Sequence, residues 1–97
     1  MTPPFSVRST PRFERLFRNL LKAHRELRVI RDRVGEILEA DPYNLTRRYI
    51  IKKLAAIPLG EGQWRLALGR FRFRYDIAGA IVELVYCGLR REDTYGD

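Results

Sequence analysis

One cysteine, one histidine and no long apolar run stand in a chain of 97 residues. A lone Cys87 closes no internal disulfide, and a zinc site needs several Cys or His ligands at set spacing, so disulfide scaffolds and zinc modules are both excluded. His24 falls beside an apolar stripe near a helix end, which points to capping or a half-buried structural role rather than catalysis. No stretch approaches the roughly 20 apolar residues of a membrane span, and Met1-Thr2-Pro3-Pro4 lacks the apolar core of a signal peptide. A reduced, cytoplasmic protein without membrane contact is expected. Low-complexity tracts and internal repeats are missing too, while 45% hydrophobic and 32% charged residues are globular proportions. Residues 1–97 are therefore expected to form one domain, short enough to bury only about two-thirds of the surface of its unfolded chain.

Acid is also scarce: twelve Asp and Glu face nineteen Lys and Arg, for a net charge of +7, and sixteen of the nineteen are arginine. The guanidinium presents a planar fork of donors that matches phosphate bidentately, so the bias suits an anionic partner better than plain solubility does. A GC-rich genome would also enrich arginine, but everywhere alike. Here the charge is blocked: residues 8–33 carry +6 and residues 47–74 carry +7, whereas residues 34–46 and 75–97 carry −3 each. Blocked charge favours a binding surface.

Phe5-Ser6-Val7-Arg8 alternates like a short strand, and Ser9-Thr10-Pro11 starts a helix with Thr10 at the cap and Pro11 in the first turn. Phe13, Leu16, Phe17, Leu20, Leu21 and Leu27 keep the period of one apolar helix face, with Arg12, Arg15, Arg18, Lys22 and Arg25 on the other. Ile30, Val34, Ile37 and Leu38 continue a helical period beyond a polar stretch at Lys22–Arg28. Two helices packed as a hairpin account for this, and a single long helix is the alternative. Asp41-Pro42 ends the helical part. Residues 43–62, closing in Pro58-Leu59-Gly60-Glu61-Gly62, form a connection whose pattern is ambiguous, although its Ile50, Ile51 and Leu54 must dock somewhere.

Alternation and turns agree in the last third. Gly69-Arg70 fits a two-residue type II′ turn, pairing Leu68 with Phe71, Leu66 with Phe73 and Trp64 with Tyr75 on one apolar face. Ala78-Gly79 as a second turn pairs Tyr75 with Val82 and Phe73 with Leu84 on that same face. The expected fold is α+β: a short N-terminal strand, an α-helical hairpin covering the sheet, then a three-stranded antiparallel meander, in the order β-α-α-β-β-β. Arg65, Ala67, Arg72, Arg74, Asp76, Glu83, Val85 and Cys87 fall on the opposite face. Arg74 lies across from Glu83, a cross-strand ion pair that needs no function to explain it. Arg65, by contrast, lies across from Arg74, and like charges facing each other cost stability unless an anion sits over the strands. No acid lies opposite Arg72 in this register. Arginines that simply point into water remain the alternative.

Lys52-Lys53-Leu54, Gly62-Gln63-Trp64-Arg65-Leu66, Gly69-Arg70-Phe71-Arg72-Phe73-Arg74-Tyr75-Asp76-Ile77 and Gly88-Leu89-Arg90-Arg91-Glu92-Asp93-Thr94-Tyr95 occur in the order seen in RelE-type toxins. Through these segments, and a first half with a short strand entering an α-hairpin, the chain resembles the RelE/ParE superfamily. The resemblance implies the toxin of a type II toxin–antitoxin system that enters the ribosome and cuts messenger RNA, restrained by a cognate antitoxin in a hetero-oligomer. It implies a metal-free, cofactor-free attack of the 2′-hydroxyl on the adjacent phosphate. Arg65 then contacts the RNA backbone, Arg72 stabilises the charge developing on the phosphate, Arg90 serves the leaving oxygen and Tyr95 assists or stacks at the scissile step. Lys52, Lys53, Arg74 and Arg91 are the further residues expected to bind RNA. Ala67 departs from the pattern, standing where the best-known members carry a second lysine, and no His or carboxylate takes the place of a general base, Glu92 being the nearest acid. The ParE branch shares the fold but binds DNA gyrase without an RNase centre, which makes a non-enzymatic gyrase inhibitor the alternative; a degenerate toxin kept for autoregulation with its antitoxin is a third.

Overall fold

In the computed structural model, which describes residues 3–90, Thr10 sets the entry to the first helix. Its hydroxyl oxygen accepts the Phe13 N–H at 3.2 Å and donates to the Leu84 carbonyl at 3.0 Å, so one side chain caps the helix and ties it to the sheet. Loss of such a cap costs about 1 kcal/mol. Strand β1 (Ser6–Ser9) leads into α1 (Pro11–Ala23), with Pro11 at the start of the helix where its missing N–H costs nothing. The apolar stripe of α1 turns inward: Phe13 is fully buried, and Leu16, Phe17, Leu20 and Leu21 pack partly buried around the core. Complete burial of one such side chain contributes about 1.5–3 kcal/mol.

Among the described residues the helices are two. α1 stops at His24, whose N–H still reaches the Leu20 and Leu21 carbonyls, and α2 (Leu27–Ala40) restarts after Glu26. The polar break is held from the sheet side: Arg70 donates to the Glu26 carboxylate at 2.6 Å, lies 2.9 Å from His24 Nδ1, and stacks over the Phe71 ring. That Arg70 bond, before all else, draws the Glu26 carboxyl below its ordinary range. His24 is thus a structural corner, its ring set edge-on to Phe71.

Among the described residues the sheet has five strands, one more than the sequence pattern resolves, in the order β1-β5-β4-β3-β2. The added strand, β2 (Ile50–Lys53), pairs antiparallel with β3 (Trp64–Leu68) and sends Ile51 towards the core. Two side chains organise the segment leading to it. The Asp41 carboxylate accepts the N–H groups of Leu45 and Thr46 and the Thr46 hydroxyl, at 2.8, 3.0 and 2.6 Å. Asn44, at φ 56°, bonds both the N–H and the carbonyl of Tyr49. A four-residue strand built on local side-chain bonds leaves no clear alternation, and Ile50 is exposed, which hid the strand.

β3 pairs with β4 (Phe71–Ala78) as the Gly69-Arg70 turn requires: Leu68 faces Phe71, Leu66 faces Phe73 and Trp64 faces Tyr75. The expected register of β4 with β5 (Ile81–Leu89) is corrected. The turn residues are Gly79-Ala80, not Ala78-Gly79, because a type II′ turn puts the positive φ on its first central residue and Gly79 supplies it at 61°. Ile77 therefore pairs with Val82, and Tyr75 with Leu84. A bulge follows between Arg74 and Tyr75, where Val85 and Tyr86 together oppose Arg74. Two expectations fall with the old register. Arg74 faces Tyr86 rather than Glu83, and Glu83 instead binds Arg8 at 3.1 Å. Cys87 lies in the core opposite Phe73, not on the polar face, and burial pushes its thiol up to about 12.

The helices cover one face of the sheet. Phe13 from α1, and Leu27, Val34, Ile37 and Leu38 from α2, meet Leu66, Phe71, Phe73, Tyr75, Val82 and Leu84 in a single apolar cluster. Tyr75 is buried through its ring and donates its hydroxyl to the Pro42 carbonyl at 2.7 Å. Burial first, and the Asp41 charge second, keep that phenol protonated.

Candidate nucleic-acid interface

The opposite face of the sheet collects the cations. Lys52 on β2, Arg65 on β3 and Arg74 on β4 stand directly opposite one another, and the bulge on β5 completes the row with Tyr86. The next row runs Ile50, Ala67, Arg72 and Gly88. Neighbouring Cα atoms across such rows are about 4.5–5.5 Å apart, so the three cationic stems stand within about 9–11 Å of sheet width.

Each cation is held differently. Arg74 donates its Nε–H to the Gly62 carbonyl at 3.1 Å. Gly62, at φ 87°, packs so closely that a Cβ there would lie 2.8 Å from Arg74 Cβ and 2.9 Å from Val85 Cγ2. Arg72 donates from Nη1 to the carbonyls of Gly69 and Phe71, which anchors its guanidinium at the β3–β4 turn. The Nε and Nη1 atoms of Arg65 are shielded from solvent between its two cationic neighbours. Arg90 is exposed just past β5, and its N–H bonds the Arg70 carbonyl at 2.8 Å, which extends the ladder beyond the Arg72–Gly88 pair.

Lys53 is not part of this face. Strand alternation turns it to the helix side, where its ammonium sits 5.5 Å from the centre of the Trp64 ring. Arg91, Tyr95 and Glu92 lie outside the described residues.

Among the described residues, two acids of β4 and β5 share the arginine face, and both are engaged elsewhere. Asp76 is only 3% exposed and accepts the N–H groups of Gly60, Gly62 and Gln63 at 3.0, 3.1 and 2.9 Å. It thereby shapes the Pro58–Gly62 turn whose last carbonyl receives Arg74. Glu83 is drawn to Arg8 at the far end of the strand. Among the described residues, no three His, Cys, Asp or Glu side chains come together as metal ligands, and no helix is long and apolar enough to cross a membrane.

Tyr86 is the residue that sequence reasoning missed. An unbroken alternation puts Tyr86 among the core residues, and only the bulge moves it to the arginine face. Gly88 then gives it room: a Cβ at Gly88 would collide with the Tyr86 ring and hydroxyl, so the ring lies along the strand above Gly88, next to the Arg72 position. The signal that could have found it is the Tyr86-Cys87-Gly88 triplet, in which a glycine two residues after an aromatic interrupts a strand.

Against solved structures, the chain matches the crystal structure of the archaeal RelE-RelB complex from Pyrococcus horikoshii OT3. The match has a TM-score of 0.59 at 22% identity, and it covers 90% of this chain and 96% of that one. The fold is RelE-like. No protein-family profile and no curated protein matches the sequence, so this likeness rests on architecture. A RelE-like fold agrees with the strand, α-hairpin and meander expected from the pattern.

Proposed function

We propose that this chain is the toxin of a type II toxin–antitoxin pair and cleaves messenger RNA on the ribosome, in the cytoplasm. The observation that carries the reading is the Lys52–Arg65–Arg74 row with Arg72 beside it, on the helix-free face of a RelE-like sheet. A solved structure with this fold is a complex of RelE with RelB, which supports a protein partner of the antitoxin kind here.

The chemistry that suits such a face is attack of an RNA 2′-oxygen on its own 3′-phosphorus. The bond to the 5′-oxygen of the next nucleotide breaks, leaving a 2′,3′-cyclic phosphate and a 5′-hydroxyl; one proton leaves the 2′-hydroxyl and one arrives at the 5′-oxygen. Negative charge grows on the phosphoryl oxygens, where fixed cations lower the barrier because they need no reorganisation as the reaction proceeds. Arg72, tethered to two turn carbonyls, is preorganised for that task, while Arg65 is assigned to the adjoining backbone and Arg90 to the leaving oxygen. Tyr86 offers a flat ring to a base beside the scissile phosphate. Lys52 and Arg74 neutralise flanking phosphates.

Induction followed by primer-extension mapping tests the reading. New 5′ ends phased with codons are expected. Intact messages together with trapped gyrase–DNA complexes would replace it with the binding inhibitor, and intact messages with normal growth would leave only a partner of autoregulation.

A further inference from the structure

We propose that the outer edge of β2 is a strand-pairing site for an extended, acidic segment of the partner protein. The inference rests on the toxin–antitoxin reading for the identity of that partner, and on the backbone for its place. The Leu54 N–H donates to the Gln63 carbonyl at 2.8 Å, which makes Leu54 and Gln63 a hydrogen-bonded pair of the β2–β3 ladder. In antiparallel pairing such pairs alternate, so Lys52 and Ile50 also bond inward, and the N–H and carbonyl groups of Ile51 and Lys53 point outward.

Tyr49 has the same parity, and there the protein shows what the edge accepts. The Asn44 carboxamide donates from Nδ2 to the Tyr49 carbonyl at 2.8 Å and accepts the Tyr49 N–H at Oδ1 at 3.1 Å, as a backbone amide of a sixth strand would. This substitute covers a single residue. Among the described residues, the outward groups of Ile51 and Lys53 have no such cover.

The flanks specify the occupant. Lys52 and Lys53 project to opposite faces of the edge, within a segment, residues 47–74, that carries +7. A second copy of this chain would set lysine against lysine, and lysine on an edge strand opposes self-pairing for that reason. An acidic strand meets attraction on both faces. Exposed apolar groups border the edge, Ile50 on the arginine face and Tyr43 against Trp64 on the helix face, with Leu45 82% exposed in the preceding turn. An extended segment alternating acidic and apolar residues satisfies backbone, charge and apolar surface together.

The test uses the complex of this chain with the co-expressed product of the adjacent reading frame, followed by amide hydrogen exchange. Exchange at Ile51 and Lys53 is expected to slow by at least about 100-fold on complex formation, the scale of an edge amide gaining a strand bond. Lys53→Ala removes the charge together with its contact over the Trp64 ring, keeps the backbone donor, and should weaken binding several-fold. Lys53→Pro also removes the outward donor without touching the β3 ladder, and should weaken it at least about tenfold more. The free variants should melt as the parent does; if Lys53→Pro does not fold, the exchange result on the parent complex decides. A complex in which Ile51 and Lys53 exchange as fast as in the free chain overturns the edge site while leaving the pairing of the two proteins intact. Protection that grows with concentration of the free chain alone would overturn it in favour of self-pairing, and the absence of any complex would remove the partner reading and this site together.

Discussion

Replacing Asp76 with alanine should be the most damaging single polar substitution in the described part of the chain, although Asp76 touches no core residue by hydrogen bond. Its carboxylate accepts three backbone N–H groups, from Gly60, Gly62 and Gln63, and the residue is 3% exposed. A hydrogen bond to a charged group contributes about 1.5–3 kcal/mol net, and a buried donor left without its acceptor costs about 1–3 kcal/mol. Only the Gly62 bond is fully buried; the donors of Gly60 and Gln63 are partly exposed and regain water. The expected loss is therefore about 3–5 kcal/mol rather than three full bonds. In a domain of this size each kcal/mol moves the melting temperature by about 4–8 °C, so Asp76→Ala should melt roughly 15–30 °C lower. Asp76→Asn keeps one acceptor oxygen and turns a donor towards another, so it should recover part of the loss at most. Thermal melts by circular dichroism, with amide exchange at Gly60, Gly62 and Gln63, measure both. A change below about 4 °C for Asp76→Ala, which is less than about 1 kcal/mol, would show that the loop does not depend on this carboxylate and that the Gly62 carbonyl reaches Arg74 by other means.

On the proposed RNase reading, Arg72→Ala should lower cleavage by about 10²–10³ while the fold persists, since one preorganised cationic contact is worth that much in rate; full toxicity in a folded variant would place the active face elsewhere. Gly88→Ala should displace the Tyr86 ring, and Tyr86→Leu should reproduce its effect on cleavage, read as altered cut sites by primer extension; unchanged sites in both would remove Tyr86 from the RNA-binding face. At Asp41 burial alone would raise the carboxyl, but the bonds from Thr46 and Leu45 outweigh it and hold the group below its ordinary range. A lowered folded value means stability that is present above about pH 4 and lost as pH falls through the folded value. Asp41→Asn should therefore flatten the acid limb of a stability–pH curve, and an unchanged limb would refute the assignment. Cys87, buried and pushed up to about 12, should resist alkylation at pH 8 until the chain unfolds; rapid labelling of the native protein would contradict its place in the core.

Much of the fold was legible because apolar spacing and turn chemistry spoke together. The Phe13 to Leu21 stripe and the Thr10-Pro11 start define α1, and Gly69-Arg70 sets the β3–β4 register residue by residue. The β4–β5 register failed where two local rules were needed at once. Alternation cannot detect a slip of two residues, since it returns every side chain to its own face, so only the requirement for glycine at the first central turn position distinguishes Gly79-Ala80 from Ala78-Gly79. The bulge then breaks the alternation itself and exchanges the faces of Tyr86 and Cys87. β2 was hidden for another reason: its neighbours are held by Asp41 and Asn44 side chains, bonds that leave no periodic trace. In the candidate site, Arg65, Arg72 and Arg74 were placed on the right face by alternation, whereas Lys53, read with Lys52 from a dipeptide, separates from it because adjacent residues in a strand point opposite ways.

The corrected register strengthens the case for an anionic ligand over the sheet. With Glu83 across from it, Arg74 needed no explanation beyond a cross-strand pair; in the structure that acid belongs to Arg8, and Asp76 is committed to three loop amides. Lys52, Arg65 and Arg74 then stand side by side on three strands, with like charges directly opposed at both steps. Each such opposition costs a few tenths to about 1 kcal/mol, a noticeable share of the roughly 5–15 kcal/mol that holds a small domain folded. Arginine enrichment from genome composition would scatter the cations and leave nearby acids to neutralise them. Here the fold spends its acids on a turn and on a neighbouring strand, uses a glycine at 62 to bring the loop against Arg74, and uses a bulge to bring an aromatic ring beside the row. Those three devices act on one face, and on the proposed RNase reading they serve a phosphate chain laid over it.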